Sequence, residues 1–503
     1  MNCDFDIVVV GGGIVGSAIA AGLAAKGHSV VLVERGDMAV SSQVEARPII
    51  KCTKRMHMGC FQARNHVLGG NGHYWGGGLI RPPSMGLDEC LGISEVASED
   101  LESLAANFRN VEELFGVQWS PSRTPFPLKD SAIGTCHLSE ICVLPGKLRN
   151  TSRYLLERFR RMPRCETLTC AEVASFTHNQ NGSSGRNVSS LIINQGGKLR
   201  ELAARSFVIA AGTVDSNLIV LAHAQGFGVE IEKLGLGSRL HDHLSVPIAR
   251  VRLSSNRELK DLLAPRFMNG LVRFRRFELK CGTGWGAEGF VRFLLGSDEI
   301  SPYQEIKRLM LLRQQGASPT RLIKASLPLL SVTPELFRVA IERVLKRRLY
   351  LSDDLVVSAT LNFETFPHPA NALRLVGDQA ELAWTINEQD ELSYLELLDK
   401  ANRLIAELAR NYGMAVEPLA DFSSPQRAID YFHTAATDTF HLGGGLAASD
   451  DGMGAVDQNL KLVGTGNVYV VSSAVLRRPG VVNPTHTLLA LADRFVNRYR
   501  MEA

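Results

Sequence analysis

Residues 6–16 of this 503-residue chain read Asp-Ile-Val-Val-Val-Gly-Gly-Gly-Ile-Val-Gly, and they decide the fold of its N-terminal region. The apolar, β-branched run after the aspartate is typical of a buried parallel strand. The glycines match the pattern G-x-G-x-x-G, and residues 17–26 have the composition of a helix. Residues 29–33 indicate a second strand, with Glu34 at its end. The sequence therefore predicts a strand–turn–helix–strand unit that binds a dinucleotide.

Three glycines of the turn each have a physical role. Gly11 permits the tight turn, Gly13 lets the backbone approach a pyrophosphate, and Gly16 lets the helix pack closely on the strand. The N-terminus of the helix offers free N–H groups and a positive dipole end, and Ile14 and Val15 lead into it. We therefore expect these five residues to contact the phosphates of a cofactor or to shape their binding site.

Glu34 lies 23 residues after Gly11, where a carboxylate accepts hydrogen bonds from ribose hydroxyls. The same carboxylate would repel a 2′-phosphate, so the pattern favours FAD or NAD over NADP. The spacing alone does not decide between FAD and NAD. A glycine-rich turn without a ligand is the alternative.

The composition is that of an ordinary globular protein. Lys and Arg number 55 against 52 Asp and Glu, which gives a formal charge of +3, and 45% of the residues are hydrophobic. These values exclude a disordered chain and a strongly basic nucleic-acid binder. The length predicts two or three domains.

The nine cysteines are an odd number without a CxxC pair, so neither a disulfide framework nor a zinc site is expected. Free thiols in a reducing cytoplasm are the favoured interpretation. Residues 7–25 carry no charge, but Asp4 and Asp6 precede them and five glycines interrupt them. We therefore interpret this stretch as part of a soluble domain rather than as a membrane span.

A second glycine-rich loop, residues 68–78, surrounds a tryptophan. Such a loop lets the backbone lie against a flat ligand, although a plain surface loop is the alternative. Its candidate cofactor contacts are Gly70, Asn71, His73, Trp75 and Gly76.

Further elements follow along the chain. Residues 99–117 indicate an amphipathic helix, residues 206–212 a buried strand before a helix, and residues 467–473 a strand before a helix from Pro484. Residues 179–186 and 195–197 are predicted hairpin loops.

Residues 302–350 are rich in leucine and basic residues at helical spacing, with ten basic and three acidic side chains. Such a segment is either a solvated helix face or a surface for membrane lipid or another anionic partner.

The C-terminal region resembles the glucose–methanol–choline (GMC) flavin oxidoreductases. The resemblance rests on four motifs in the family's order and spacing: His441-Leu-Gly-Gly-Gly, Ala455-Val-Asp, Asn467-Val-Tyr-Val and Asn483-Pro-Thr-His-Thr. Earlier stretches are similar too, namely Ala210-Ala-Gly-Thr, Gly237-Ser-Arg-Leu-His-Asp-His and Glu364-Thr-Phe-Pro. The similarity spans nearly the whole chain and is weakest at residues 251–350.

The resemblance implies oxidation of a CH–OH group, with hydride transfer to N5 of FAD. His441 matches the family's catalytic histidine and Asn483 its second position. A base must accept the hydroxyl proton as the hydride leaves, and histidine titrates in the suitable range. The Asn483 amide can hydrogen-bond the substrate oxygen, and it can also precede a helix that begins at Pro484.

Further cofactor contacts follow from the resemblance, and the N-terminus of the last helix is expected to stabilise the reduced ring. These contacts are Arg35, Val173, Ala211, Gly212, Ser473, Asn483, Pro484 and Thr485. Some sugar-oxidising relatives attach FAD through a histidine directly before the tryptophan of the glycine loop. Tyr74 stands there in this chain, so we expect FAD to be bound non-covalently.

The family fold implies an α/β protein with a discontinuous Rossmann-like FAD-binding domain, residues 1–92, 150–250 and 436–503. The inserted substrate-binding domain, residues 93–149 and 251–435, is expected to have a mainly antiparallel sheet backed by helices. The pair Ser472-Ser473 is similar to the branch that acts on sugars and polyols, although many members have Asp at the first position. Gly445 likewise stands where many members have Thr.

The expected substrate is a sugar, glycoside, cyclitol or other polyol. A lyase on the same scaffold, another flavin reaction such as desaturation or hydroxylation, and a non-catalytic flavin-binding module are the alternatives. The electron acceptor is not assigned. No metal and no nucleic acid are expected as partners.

Overall fold

The computed structural model describes residues 3–38, 50–82, 98–117, 123–179, 186–295, 302–327, 333–353, 355–448, 454–478 and 480–500. The predicted hairpin loop at 179–186 and the predicted domain boundary at 92 fall largely or wholly outside these ranges.

The chain contains twenty described strands. They are β1 (Phe5–Val10), β2 (Val30–Val33), β3 (Ile50–Cys52), β4 (Gly78–Leu79), β5 (Arg123–Pro125), β6 (His137–Val143), β7 (Cys165–Leu168), β8 (Ala171–Asn179), β9 (Asn187–Gln195), β10 (Lys198–Ile209), β11 (His243–Arg252), β12 (Arg266–Met268), β13 (Leu271–Lys280), β14 (Glu288–Leu295), β15 (Val356–Glu364), β16 (Ala372–Val376), β17 (Gln379–Ala383), β18 (Ala415–Pro418), β19 (Thr437–Asp438) and β20 (Val468–Val470).

Fourteen described α-helices connect or cover the strands. They are α1 (Ile14–Ala25), α2 (Met58–Gln62), α3 (Ser98–Leu114), α4 (Gly146–Arg149), α5 (Thr151–Phe159), α6 (Gly212–Phe227), α7 (Ile231–Leu234), α8 (Arg257–Leu263), α9 (Pro302–Gln314), α10 (Pro319–Ser326), α11 (Thr333–Lys346), α12 (Glu388–Tyr412), α13 (Pro425–Ala435) and α14 (Pro484–Arg498).

The first sheet carries the predicted dinucleotide-binding unit, and its strand order is β7-β2-β1-β10-β9-β8, with β20 beside β10. β1 pairs in parallel with both β2 and β10. Its apolar residues are buried on both faces, which is typical of a central parallel strand. β8, β9 and the first half of β10 form an antiparallel meander, with the predicted hairpin turn after Gln195. The predicted α/β fold with a Rossmann-like sheet is confirmed.

The second sheet has ten antiparallel strands in the order β18-β11-β15-β14-β13-β6-β4, with β5, β12 and β19 beside β6, β13 and β11. Helix α12 packs against one face of this sheet. The sheet reaches beyond the predicted substrate domain, because β4, β11 and β19 come from segments assigned to the FAD-binding domain. The exact division into domains stays a prediction.

Alternation along the strands of the second sheet separates its core face from its open face. The odd-numbered residues Phe277, Val291, Leu361 and Phe363 are buried in the core beneath α12. The even-numbered residues of the same strands therefore point to the opposite face. Within the described residues, no helix has the length and apolarity needed to cross a membrane.

Candidate active site

The glycine turn after β1 has a geometry that only glycine fits. Gly11 has φ of +103°, and a Cβ there would lie 2.6 Å from the carbonyl oxygen of Ala210. A Cβ on Gly16 would lie 1.9 Å from the carbonyl oxygen of Gly11. Gly16 is thus a packing residue, and it is not among the residues that line the cavity.

The start of α1 fits the phosphates of a dinucleotide. A Cβ on Gly13 would meet no described atom within 4 Å, so the space above it is open. Gly13 is the N-cap of the helix and has no side-chain capping bond, and Ile14 and Val15 also line the cavity. Free N–H groups therefore face a cavity at the positive end of the helix dipole, which is the arrangement that binds pyrophosphate.

Glu34 lies against this turn. Its two carboxylate oxygens accept hydrogen bonds from the N–H groups of Gly12 and Gly36, both at 2.8 Å. Burial raises the pKa of Glu34, and the two backbone bonds oppose that shift. Because each oxygen keeps a second lone pair, the carboxylate can still accept ribose hydroxyls.

A buried ion pair beside Glu34 was not predicted. Asp215 accepts hydrogen bonds from the Arg64 guanidinium, with Nε at 2.8 Å, and lies 3.4 Å from Nε2 of His66. All three side chains line the cavity near the cradle. This cluster could not be predicted from the sequence, because Arg64 and Asp215 are 151 residues apart and belong to no motif.

One cavity of about 2570 Å³ joins the glycine turn to the second sheet. Apart from Gly16 and His73, every residue predicted for the cofactor or the chemistry lines it. His73 is turned away, because Nε2 binds the carbonyl of Leu68 at 2.9 Å and Nδ1 binds the Asn150 amide at 3.1 Å. Tyr74 faces the cavity in its place.

His441 and Asn483 meet in this cavity. Nδ2 of Asn483 lies 3.4 Å from Nε2 of His441, although the residues are 42 positions apart. Asn483 is the N-cap of α14 by position, but within the described structure its side chain makes no capping bond. Its amide is therefore directed at the histidine rather than at the helix, and the N–H groups of the first turn of α14 stay available.

A buried network fixes the ring of His441. Nδ1 lies 2.8 Å from the Thr439 hydroxyl and 3.3 Å from Nδ1 of His243. His243 donates from Nε2 to the carbonyl of Gly480 at 2.6 Å, so its Nδ1 is the acceptor when the ring is neutral. Both neighbours of His441 are thus satisfied when its Nδ1 carries the proton. This assignment leaves Nε2 of His441 unprotonated, and its lone pair faces the Asn483 amide and the cavity.

Asp242 supports this network from the protein interior. Its carboxylate is fully buried and accepts the backbone N–H of His441 at 3.0 Å and 3.1 Å, and it lies 3.1 Å from Nε2 of His57. Burial alone would lower the pKa of His57, but the bond to Asp242 raises it well above the usual value. Nδ1 of His57 accepts the backbone N–H of Cys60 at 3.2 Å, so Nε2 carries the ring proton and donates it to the Asp242 carboxylate.

The electrostatics keep His441 neutral. Burial lowers its pKa to about 4, and the nearby His243 and Arg292 act in the same direction against Asp242. Two trios, Asp242–His243–His441 and His57–Asp242–Asp438, are also close enough to share a metal ion. The hydrogen bonds among them account for these groups without one.

The open face of the second sheet forms the wall opposite this network. Cross-strand neighbours share a face, so the register places Phe274 beside Ile141 on β13 and β6 and Arg292 beside Thr360 on β14 and β15. These side chains line the same cavity as His441. The arginine was not predicted, because residues 251–350 resemble the family least.

Two family models match the chain. Residues 6–113 match the model described as FAD dependent oxidoreductase, and residues 367–492 match the model described as GMC oxidoreductase. Pyridoxine 4-oxidase from Mesorbium loti is similar in structure, with a TM-score of 0.60, 17% identity, and 99% of each chain covered. No curated protein matches the chain in sequence.

The glycine turn, the cavity and the first match define an FAD-dependent oxidoreductase. The second match makes the assignment more specific, because residues 367–492 carry a GMC oxidoreductase domain beside the FAD-dependent oxidoreductase domain of residues 6–113. The predicted family and the predicted cofactor are thereby confirmed.

Proposed function

We propose that the protein oxidises a CH–OH group of a sugar, glycoside, cyclitol or other polyol to a carbonyl. The observation that carries the proposal is the set of contacts of the His441 ring: Thr439 and His243 lie at Nδ1, and Nε2 faces the cavity beside the Asn483 amide. FAD, when bound, supplies the two-electron acceptor for the hydride. The substrate hydroxyl proton passes to Nε2 of His441, and the carbon becomes a carbonyl.

The neighbours of His441 have separate tasks in this proposal. Asn483 donates a hydrogen bond to the substrate oxygen as negative charge develops there. Thr439 and His243 hold the imidazole in the productive tautomer, and Asp242 fixes its backbone. Asp242 and its partner His57 are positioning residues in this scheme, because neither lines the cavity.

The test is anaerobic bleaching of the holoenzyme's flavin by a panel of sugars, polyols, glycosides and simple alcohols. Bleaching by one class would support the proposal and name the substrate, and fast or slow reoxidation in air would separate an oxidase from a dehydrogenase. His441→Ala should keep FAD and reduce it about 10²–10⁴-fold more slowly. No bleaching by any alcohol, with FAD present, would favour the lyase or desaturation reactions instead.

We propose non-covalent binding of FAD, which is supported by the two protein contacts of the His73 ring. Release of the flavin by acid precipitation of the protein would support this, and flavin in the precipitate would contradict it. We also propose a cytoplasmic location on the basis of the cysteine pattern of the sequence.

We further propose that the basic segment 302–350 contacts an anionic membrane surface. Exposed apolar side chains on α10 and α11, among them Ile323 at 67% and Phe337 at 70%, stand beside arginines and lysines. Arg308 on α9 and Arg343 on α11 line the cavity, so this surface borders the route to the site. The absence of co-pelleting with anionic vesicles at low salt would contradict the proposal.

A further inference from the structure

Arg292 is a largely buried cation without a counter-ion. It stands on β14 and faces the cavity from the open side of the second sheet. Its Nε is buried and has no hydrogen-bond partner among the described residues. Burial lowers the pKa of its guanidinium, the charge of Arg276 acts in the same direction, and no described carboxylate opposes them.

The neighbouring arginine differs in this respect. Arg276 on β13 is buried too, but its guanidinium donates to Glu278 at 2.7 Å, to Ser139 at 3.1 Å and to the carbonyl of Val481 at 2.9 Å. Glu278 thus neutralises Arg276. Arg292 is left beside a like charge.

The acidic residues of the cavity do not compensate for Arg292. Among the described residues, those that line the cavity are Glu34, Glu172 and Asp215 at the dinucleotide cradle and Asp378 in the turn after β16. The wall around Arg292 is formed by apolar side chains such as Phe274 and Leu294 and by further arginines. An unpaired buried charge is costly, so its presence in a binding cavity calls for an anionic ligand.

We propose that the alcohol substrate carries an anionic group, a carboxylate or a phosphate, and that Arg292 binds it. The inference rests on the proposed oxidation at His441 and narrows its substrate class. A planar guanidinium suits either oxyanion, because two parallel N–H donors can meet two oxygens. The apolar side chains next to Arg292 contact the carbon skeleton of the substrate.

The position of Arg292 couples binding to the chemistry. Its positive charge reaches His441 and weakens it as a base. An anion bound to Arg292 cancels that field, so the base becomes stronger when the correct substrate is in place. A neutral alcohol lacks both the ion pair and this gain.

The first test compares matched alcohols in anaerobic flavin reduction by the holoenzyme. Suitable pairs are glucose and glucuronate, glycerol and glycerol phosphate, and benzyl alcohol and 4-(hydroxymethyl)benzoate. The anionic member of at least one pair should reduce the flavin at a lower concentration than its neutral partner. The carboxylates and the phosphate ester form separate arms and distinguish the two anion chemistries.

The second test measures binding without turnover. Acetate, benzoate and inorganic phosphate are titrated into the holoenzyme, and the change in the flavin spectrum gives a dissociation constant. In Arg292→Met the constant for the best anion should rise about 30-fold or more, as expected when one partner of a buried charge pair is lost. Arg292→Lys should recover part of the affinity. Arg250→Met, which removes an exposed arginine of β11 in the same sheet, should leave it unchanged.

The outcomes separate the inference from the proposed function. If neutral alcohols bleach the flavin as well as anionic ones, and Arg292→Met binds the probes like the wild type, the inference is wrong and the oxidation stands. If no alcohol bleaches the flavin, the proposed function fails whatever the probes do. If Arg292→Met does not hold FAD, the matched alcohol pairs and the Arg292→Lys variant decide whether the inference holds.

Discussion

The low basicity of His441 has a measurable consequence for the pH dependence of flavin reduction. In the proposed oxidation the ring must be neutral to accept the substrate proton, and burial with the field of His243 lowers its pKa to about 4. At pH 5 the neutral fraction is then about 0.9, against about 0.03 for a histidine with an ordinary pKa of 6.5. The structure thus predicts about 30 times more active enzyme at pH 5 than an unperturbed histidine would give.

The measurement is the second-order rate constant for anaerobic flavin reduction between pH 4 and 8, because this constant reports the free enzyme. The substrate must carry no group that titrates in this range. Flavin fluorescence follows any release of FAD at low pH and serves as the control. A rate constant that falls to half near pH 6.5 would refute the assignment of His441 as a base held neutral by its surroundings.

Two variants should shift the acid limb of this pH profile in opposite directions. Arg292→Met removes a positive charge that faces His441 from β14, so the limb should shift to higher pH. Asp242→Asn removes the negative charge below the ring, so the limb should shift to lower pH. Shifts of the same sign in both variants would mean that another group controls the profile.

Further outcomes are expected from four single substitutions. Gly16→Ala should abolish FAD binding because its Cβ would overlap Gly11, whereas Gly13→Ala should fold and only weaken FAD binding; flavin absorbance per protein checks both. Asp242→Asn should lower the free energy of unfolding by about 1.5–3 kcal/mol at neutral pH, measured by urea denaturation, because His57 loses its charged, buried hydrogen-bond acceptor. Asn483→Ala should retain FAD but slow flavin reduction about 10²-fold or more in stopped-flow measurements; an unchanged rate would exclude the amide from the reaction.

The dinucleotide-binding unit could be predicted from the sequence because the residues that form it are close together in the chain. The turn needs glycine at two positions for steric reasons, and the strand and helix beside it are adjacent in the chain. His441 and Asn483 are 42 residues apart, and their pairing came from the resemblance and not from the residues themselves. Their contact at 3.4 Å depends on the packing of the whole C-terminal region.

The groups that were not predicted from the sequence share one property: the role of each depends on a partner that is far away in the chain. Nothing in the sequence distinguishes His57 from the other histidines. Its role becomes apparent only in the fold, where Asp242 lies 3.1 Å away in the core. His73 was taken as a cofactor contact from its place in a glycine-rich loop, yet two hydrogen bonds hold its ring in a structural role. Gly16 was predicted to let the helix pack on the strand, and the close approach of the Gly11 carbonyl agrees with that role. A motif supplies the position of a residue, but the direction of its side chain depends on the fold.

Arg292 shows why the substrate class is the hardest feature to predict from a sequence. Alternation along β14 sends Val291 to the core and Arg292 to the cavity, and only the register with β13 and β15 shows which arginine has a carboxylate partner. Arg276 and Arg292 look alike in the sequence. One is neutralised by Glu278 and belongs to the scaffold, while the other has no counter-ion among the described residues and lies within electrostatic reach of His441. The difference between them is what directs the search for a substrate toward alcohols that carry a carboxylate or a phosphate.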